Sequence, residues 1–297
     1  MVKIVRCFCA AATLFAFAGC VSVPKPETLA DGKSHFAMLG TNRIHYVTVG
    51  KGRQAIVFVH GWACNLDNWR AQVPALADKA RLVLIDLPGH GQSDKPHTAY
   101  TPDFFASAVL AVMDDAHVDK ATLVGHSMGG AVICCVYRQA PERVAALVSV
   151  DGLLRRPAGT PEQAKQYIGQ FTTPDYRANV KKFVSGFFPF PGTEKLRDQV
   201  LDEMLATPQY VMVGAMAGLL GPDQPDWDLK RVTVPVLVIN AHSPMWDAGY
   251  GNYVHSLSPQ ADYRMMDGVG HWLMLEKPAE FNAILTELLA KHDLIAK

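Results

Sequence analysis

The stretch that decides the fold is Leu123-Val124-Gly125-His126-Ser127-Met128-Gly129-Gly130. It joins two apolar runs, residues 121–124 and residues 131–137, whose lengths are typical of a buried strand and of a helix. A Gly-x-Ser-x-Gly pattern between such elements predicts a sharp turn that exposes the Ser127 hydroxyl at the end of a strand. Gly125 and Gly129 are expected where any side chain would collide with a neighbouring strand or helix. The stretch therefore predicts an α/β fold with a serine placed for nucleophilic attack.

Apolar runs of strand length recur on both sides of this turn and alternate with segments of helical pattern. This alternation predicts a mostly parallel sheet flanked by helices. Two early runs alternate polar and apolar residues around a Gly-Thr-Asn turn, which predicts an antiparallel hairpin. The expected strands are residues 36–39, 43–49, 55–59, 82–85, 121–124, 144–150, 234–239 and 263–266, and the expected helices are residues 68–77, 104–115, 131–137 and 278–292.

Residues 153–228 interrupt the alternation with helical segments, several prolines and many large apolar side chains. An insertion that leaves a sheet at the carboxyl end of a strand lies over the crevice where α/β folds bind ligands. We therefore predict a helical cap, in which some apolar side chains form core and others line a pocket. The α/β core is assigned to residues 34–152 and 229–297.

The N-terminal segment is predicted to be a targeting signal. Residues 1–19 combine two basic residues with an apolar segment, residues 7–18, that is too short to span a membrane. The sequence Phe17-Ala18-Gly19-Cys20 then resembles a bacterial lipoprotein box. We expect Cys20 to be lipidated and residues 20–33 to form a tether that anchors the protein in the bacterial cell envelope, facing the periplasm or the cell surface. An ordinary cleaved signal and an uncleaved anchor are the alternatives.

The composition is typical of a globular protein. The 297 residues are 49% hydrophobic and 19% charged with a net charge of zero, and no basic run indicates nucleic-acid binding. No cluster with metal-ligand spacing is present, so neither a metal nor an organic cofactor is expected. Cys64, Cys134 and Cys135 are expected to be buried thiols rather than disulfide partners.

Three further positions supply the chemistry that Ser127 needs. A serine hydroxyl is a poor nucleophile until a base removes its proton, and His271 follows the last expected strand in a glycine-rich loop. The tetrahedral oxyanion needs preorganised donors. The backbone N–H of Trp62, just after the strand at residues 55–59, and that of Met128 are expected to provide them.

The acid that orients His271 is open between two aspartates. Asp151 ends the expected strand at residues 144–150, and Asp247 lies at the start of a helix after the strand at residues 234–239. We favour Asp151, because a residue at the carboxyl end of a strand points into the ligand crevice.

Together these motifs resemble the α/β-hydrolase fold family, in its cap-bearing branch of small esterases and related hydrolases. The resemblance covers nearly all of residues 36–292. In most relatives the acid follows the strand equivalent to residues 234–239, where this chain has Ser243, so the acid is shifted. The matching motifs are Val59-His60-Gly61-Trp62, Asp86-Leu87-Pro88-Gly89-His90-Gly91-Gln92-Ser93-Asp94, Gly125-His126-Ser127-Met128-Gly129-Gly130, Gly270-His271-Trp272 and Glu276-Lys277-Pro278.

The resemblance implies a serine hydrolase that cleaves carboxylic esters of small to medium size through an acyl-enzyme. It implies Ser127 as nucleophile, His271 as base, and the N–H groups of Trp62 and Met128 as the oxyanion hole. A serine at position 127 argues against dehalogenase or epoxide-hydrolase chemistry, which this branch performs with a carboxylate nucleophile.

Other functions stay open on the same scaffold. Lactone, thioester and carbon–carbon bond hydrolysis and perhydrolysis use the same catalytic residues. The missing carboxylate at Ser243 motivates a second hypothesis, a surface lipoprotein that binds a ligand with little or no turnover. The expected partners are a small ester and, through lipid at Cys20, a membrane.

Overall fold

The structure is a computed structural model that describes residues 32–156, 159–221, 229–243, 245–246, 248–258 and 261–296. The predicted signal and tether, with Cys20, fall almost entirely outside the described residues, and so does the candidate acid Asp247.

One eight-stranded sheet forms the centre of the molecule. Its strands are β1 (Lys33–Leu39), β2 (Asn42–Val49), β3 (Ala55–Val59), β4 (Arg81–Ile85), β5 (Ala121–His126), β6 (Val144–Val150), β7 (Val236–Ala241) and β8 (Asp262–Met266). Their spatial order is β1-β2-β4-β3-β5-β6-β7-β8. β2 pairs antiparallel with β1 and with β4, and all other neighbours are parallel. The predicted hairpin and the mostly parallel sheet are confirmed.

The central strands are buried along their whole length. Every residue of β3 and of β5 is buried, as expected for parallel strands whose two faces are covered by helices. The helices are α1 (Val73–Leu76), α2 (Pro102–Asp115), α3 (Met128–Gln139), α4 (Pro161–Gly169), α5 (Tyr176–Ser185), α6 (Glu194–Leu205), α7 (Gln209–Leu220), α8 (Ala248–Leu257), α9 (Leu273–Glu276) and α10 (Pro278–Lys291). None of these described helices has the length and apolar character needed to cross a membrane.

The single helix predicted over residues 68–77 is wrong. The structure has a 3₁₀ helix, Leu66–Trp69, followed by the separate short helix α1. Pro74 lies in the first turn of α1, where its missing N–H leaves no hydrogen bond unmade, whereas inside a continuous helix it would break one.

Helices α4 to α7 lie between β6 and β7, within the segment predicted as a cap, and are joined to the loops at the carboxyl ends of the strands. The Trp62 indole N–H donates to the carbonyl of Met212 in α7 at 2.8 Å. The Thr207 hydroxyl donates to the Ala63 carbonyl at 3.0 Å. The Trp62 ring also packs on Phe171, with ring centroids 4.9 Å apart. These contacts hold the insertion against the loop after β3.

Candidate active site

Ser127 occupies a strained turn between β5 and α3, and this turn, residues 125–129, is named the elbow. Its backbone angles, φ 53° and ψ −118°, fall in a region that residues with side chains rarely adopt. The turn is held on both sides: the Ser127 amide donates to the Val150 carbonyl at 3.2 Å. The Ser127 carbonyl accepts from the amides of Gly130 at 2.9 Å and Leu153 at 3.2 Å. The surrounding backbone therefore fixes the serine in the geometry of the predicted turn.

The two motif glycines stand where no side chain fits. A Cβ on Gly125 would lie 2.3 Å from the Gly129 carbonyl oxygen, and one on Gly129 would lie 2.4 Å from the Val59 carbonyl oxygen. Backbone atoms of α3 and of β3 cannot move aside without disturbing the hydrogen bonds of the helix and the sheet. The crowding predicted at Gly125 and Gly129 is confirmed.

Replacing Gly129 with alanine is expected to lower the free energy of unfolding by about 2–3 kcal/mol, in the range of overpacking in a close-packed core. Urea denaturation measures the change. Gly169→Ala is the matched control, since a Cβ there meets no atom within 4 Å. If Gly129→Ala unfolds at the same urea concentration as the control, the contact between the elbow and β3 is looser than described.

His271 and Asp151 lie together at the carboxyl edge of the sheet, and both are buried. The His271 Nδ1–H donates to Asp151 Oδ2 at 2.5 Å. Asp151 Oδ1 accepts from the Ala241 amide at 2.8 Å and from the Trp246 indole N–H at 2.6 Å. Three donors therefore hold the carboxylate in one orientation. Because Nδ1 carries the proton, Nε2 is the ring nitrogen of His271 that is left to accept one.

The backbone on either side of His271 is also fixed. The Glu276 carboxylate accepts from the amides of Gly270 at 2.8 Å and Trp272 at 3.2 Å. His126, next to Ser127 in the chain, donates its Nε2–H to the His271 carbonyl at 2.9 Å. Burial, and then the neighbouring His271, hold the pKa of His126 well below its ordinary value, so that His126 stays neutral. His126 thus links the elbow to the His271 loop.

The loop after β3 lies directly against Ser127. A Cβ placed on Gly61 would be 3.1 Å from Ser127 Cβ. His60 holds this loop through Nδ1–H, which donates to the Gly61 carbonyl at 2.8 Å, and through Nε2, which accepts from the Leu87 amide at 3.0 Å. Burial lowers the pKa of His60, which favours the neutral ring that these two bonds require.

The two backbone amides predicted to form the oxyanion hole can still donate a hydrogen bond to a ligand. Within the residues that the structure describes, neither the Trp62 N–H nor the Met128 N–H donates to a protein acceptor. Met128 is the first residue of α3, and the N–H groups of a first helical turn have no intrahelical acceptor. The positive end of the helix dipole adds to the stabilisation of an anion there.

A cavity of about 460 Å³ opens above these groups and contains Ser127, His271 and Asp151 in its wall. Core and insertion both contribute to it. The insertion also touches His271, since the Phe187 ring packs on the His271 ring with centroids 4.6 Å apart. The insertion residues in the wall are Leu153, Arg155, Arg156, Tyr167, Phe183, Phe187, Met204, Met216, Leu219 and Leu220.

A family model described as the alpha/beta hydrolase fold matches residues 54–278. The chain belongs to this family. It is 30% identical over 266 residues to a 2-hydroxy-6-oxononadienedioate/2-hydroxy-6-oxononatrienedioate hydrolase of Paraburkholderia phymatum, covering 84% of this chain and 91% of that protein. Membership and such relatives identify the chain as a hydrolase.

Two further proteins are similar to this chain. The chain is 29% identical to the dihydrolipoyllysine-residue acetyltransferase component of the acetoin cleaving system of Cupriavidus necator, covering 86% of this chain and 68% of that protein. A thermophilic esterase from Thermogutta terrifontis superposes with a TM-score of 0.78 at 19% identity, covering 88% of this chain and 99% of the esterase. At that identity the superposition shows the fold alone.

Two contacts of this hydrolase were not predicted from its sequence. Trp246 donates to Asp151, and His126 donates to the His271 backbone. An isolated tryptophan in a loop is more often core, so no sequence signal separates Trp246 from the other aromatic residues. His126 occupies the variable position inside the serine motif, and its partner comes from a loop far along the chain.

The three cysteines are buried, and the described residues form no metal site. Cys64, Cys134 and Cys135 are buried and form no disulfide, as predicted, and burial raises the pKa of Cys135 to about 12. In the described part of the chain, no set of three or more His, Cys, Asp or Glu side chains is arranged to hold a metal ion.

Proposed function

We propose that the chain is a serine hydrolase that cleaves carboxylic esters of small to medium size through an acyl-enzyme. The observation that carries this proposal is the 2.5 Å contact between His271 Nδ1 and Asp151 Oδ2 in the wall of the cavity that Ser127 also lines. A carboxylate–imidazole pair and a serine on a strained strand-to-helix turn, all in the wall of one cavity, are the groups that acyl transfer requires. We assign the orienting acid to Asp151 rather than Asp247.

In the proposed reaction His271 Nε2 takes the proton of the Ser127 hydroxyl as its oxygen attacks the ester carbonyl. The N–H groups of Trp62 and Met128 stabilise the resulting oxyanion, each donor contributing about 3 kcal/mol at the transition state. His271 then returns the proton to the leaving alkoxide, which departs as the alcohol. Water, deprotonated by the same ring, attacks the acyl-enzyme and releases the acid and Ser127.

The size and wall of the cavity support small to medium esters. Its volume of about 460 Å³ lies within the usual range of small-molecule sites, and most of its wall is apolar or aromatic. The test is a series of para-nitrophenyl esters of increasing acyl length, with Ser127→Ala as the blank. We expect kcat/KM to rise over short chains and fall once the chain exceeds the cavity. A series with no hydrolysis above the blank refutes the proposed function.

Carbon–carbon bond hydrolysis is the second candidate. It is supported by the 30% identity to the 2-hydroxy-6-oxononadienedioate hydrolase, of which the chain covers 91%. The same serine, histidine and oxyanion donors serve both reactions, so the substrate distinguishes them. Turnover of a 2-hydroxy-6-oxo-dienoate at a kcat/KM above that of every ester in the series would assign the chain to this class.

We also propose that the mature protein is lipid-anchored at Cys20 in the bacterial cell envelope. The support is the sequence Phe17-Ala18-Gly19-Cys20 after an apolar segment. In bacterial cells fed a palmitate analogue, the full chain is expected to be labelled and Cys20→Ala to be unlabelled. Cys64→Ala is the control, since Cys64 is a buried thiol, and should label like the wild type. An unlabelled wild-type chain contradicts the anchor.

A further inference from the structure

Arg155 places a positive charge in the wall of the cavity without an acidic partner. The side chain is partly buried at the start of the insertion and lines the cavity together with Ser127 and His271. Among the described residues, no carboxylate lies within ion-pair distance of its guanidinium. A cation in a mostly apolar wall is costly unless something compensates it, which points to a ligand of opposite charge.

Two tyrosines of α8 hold Arg155 in place. Its guanidinium lies over the rings of Tyr250 and Tyr253, 5.6 Å and 5.2 Å from their centroids, within cation–π distance. The hydroxyls of the same tyrosines donate to the carbonyls of Gly152 and Leu154, both at 2.8 Å. The rings therefore position both the guanidinium and the backbone beside it. A cation–π contact uses no hydrogen-bond acceptor, so the N–H groups of Arg155 can still donate to a ligand.

The other charged residues of the cavity wall, Asp151 and Arg156, already form hydrogen bonds within the protein. Asp151 binds His271, Trp246 and the Ala241 amide. Arg156 donates to the Gly221 carbonyl at the end of α7 at 2.9 Å and has further partners. Arg155 differs from these residues, because its guanidinium N–H groups have no protein acceptor in the described part of the chain.

The chain places Arg155 close to the reacting serine. The Leu153 amide donates to the Ser127 carbonyl at 3.2 Å, and Arg155 is two residues further on. Two residues span at most about 7 Å, so the Arg155 backbone lies near the turn that carries Ser127, and both side chains line the same cavity.

We propose that Arg155 binds a carboxylate of the substrate, and that the preferred substrates are half-esters of short dicarboxylic acids. This inference rests on the proposed ester hydrolysis at Ser127. A carboxylate pairs with the guanidinium through two parallel charge-assisted hydrogen bonds, a geometry that a neutral acyl chain cannot provide.

The test compares two esters that differ in one group: the para-nitrophenyl half-ester of glutaric acid, and the same ester with an isopropyl group in place of the carboxylate. Wild type is expected to have the higher kcat/KM for the half-ester. Arg155→Met, which removes the charge and keeps the aliphatic volume, is expected to lower that preference about 10-fold to 100-fold, as loss of a charged hydrogen-bonded pair does. Arg155→Lys keeps the charge without the paired donors, and its preference for the half-ester should lie between those of the wild type and Arg155→Met.

Arg156→Met is the matched control, because it removes the same charge from the same wall, and it should keep the preference. An equal preference in wild type and Arg155→Met overturns the inference, and so does a loss caused by Arg156→Met instead. Glutarate binding to Ser127→Ala, measured by calorimetry, provides a readout without turnover. We expect it to weaken at least about 10-fold when Arg155→Met is added. Ester hydrolysis that persists in Ser127→Ala refutes the proposed function, and glutarate binding then still decides whether Arg155 holds a carboxylate.

Discussion

Replacing Ser127 with alanine is expected to lower kcat for ester hydrolysis by about 10⁵-fold to 10⁶-fold, as loss of the nucleophile does in serine hydrolases. The change removes the oxygen that attacks the ester carbonyl in the first step of the proposed mechanism, and it leaves the cavity and the oxyanion amides in place. The measurement is the initial rate on the best para-nitrophenyl ester of the series. The residual rate should come from binding and the oxyanion hole alone.

Ser149→Ala is the matched control for this prediction. The Ser149 hydroxyl is buried on β6 and has no hydrogen-bond partner among the described residues. Its removal is expected to leave kcat close to that of the wild type. A Ser127→Ala protein that keeps a tenth or more of the wild-type rate would mean that another group carries out the attack.

Asp151→Asn is expected to lower kcat by about 10⁴-fold with little change in fold. The Ala241 amide and the Trp246 indole both donate to Oδ1, so the asparagine carbonyl oxygen will take that position. Its NH₂ group then faces His271 Nδ1, where the aspartate oxygen accepts a proton at 2.5 Å. Two donors cannot share that contact. His271 must move its proton to Nε2, and the ring loses the lone pair that receives the serine proton.

Asp247→Asn and Asp267→Asn are the comparisons for this variant. Asp267 is an exposed residue that pairs with His242 at 2.8 Å. Both changes are expected to leave kcat within a few-fold of the wild type. The assignment is wrong if Asp247→Asn is the crippling change while Asp151→Asn is nearly silent.

The sequence predicts most of the sheet because buried parallel strands are continuous apolar runs. Residues 55–59 and 144–150 form strands with the predicted bounds. β7 begins two residues later than predicted, at Val236, and runs on through Asn240 and Ala241. The strand begins after Pro235 because proline has no N–H to donate to a sheet. It continues past the polar Asn240 because the backbone of that residue still pairs with β8.

The sequence predicts only those site residues that belong to a local motif. A strand end followed by Gly-x-Ser-x-Gly identifies the position of Ser127, because that turn needs small residues at fixed offsets. The choice between Asp151 and Asp247 depends on distances between segments far apart in the chain, which no local pattern encodes. The contacts of Trp246 and Arg155 depend on how α8 packs against the strand ends. Such contacts exist only once the sheet and the insertion are assembled.

Ser127 must be an activated nucleophile if the chain is a serine hydrolase. The most direct measurement is the mass of the protein after incubation with an alkyl phosphonate probe, with the adduct located by peptide mapping. We expect one adduct per chain on Ser127, formed far more slowly in Asp151→Asn and absent from Ser127→Ala. A wild-type chain that stays unmodified, or an adduct that persists in Ser127→Ala, would contradict the account.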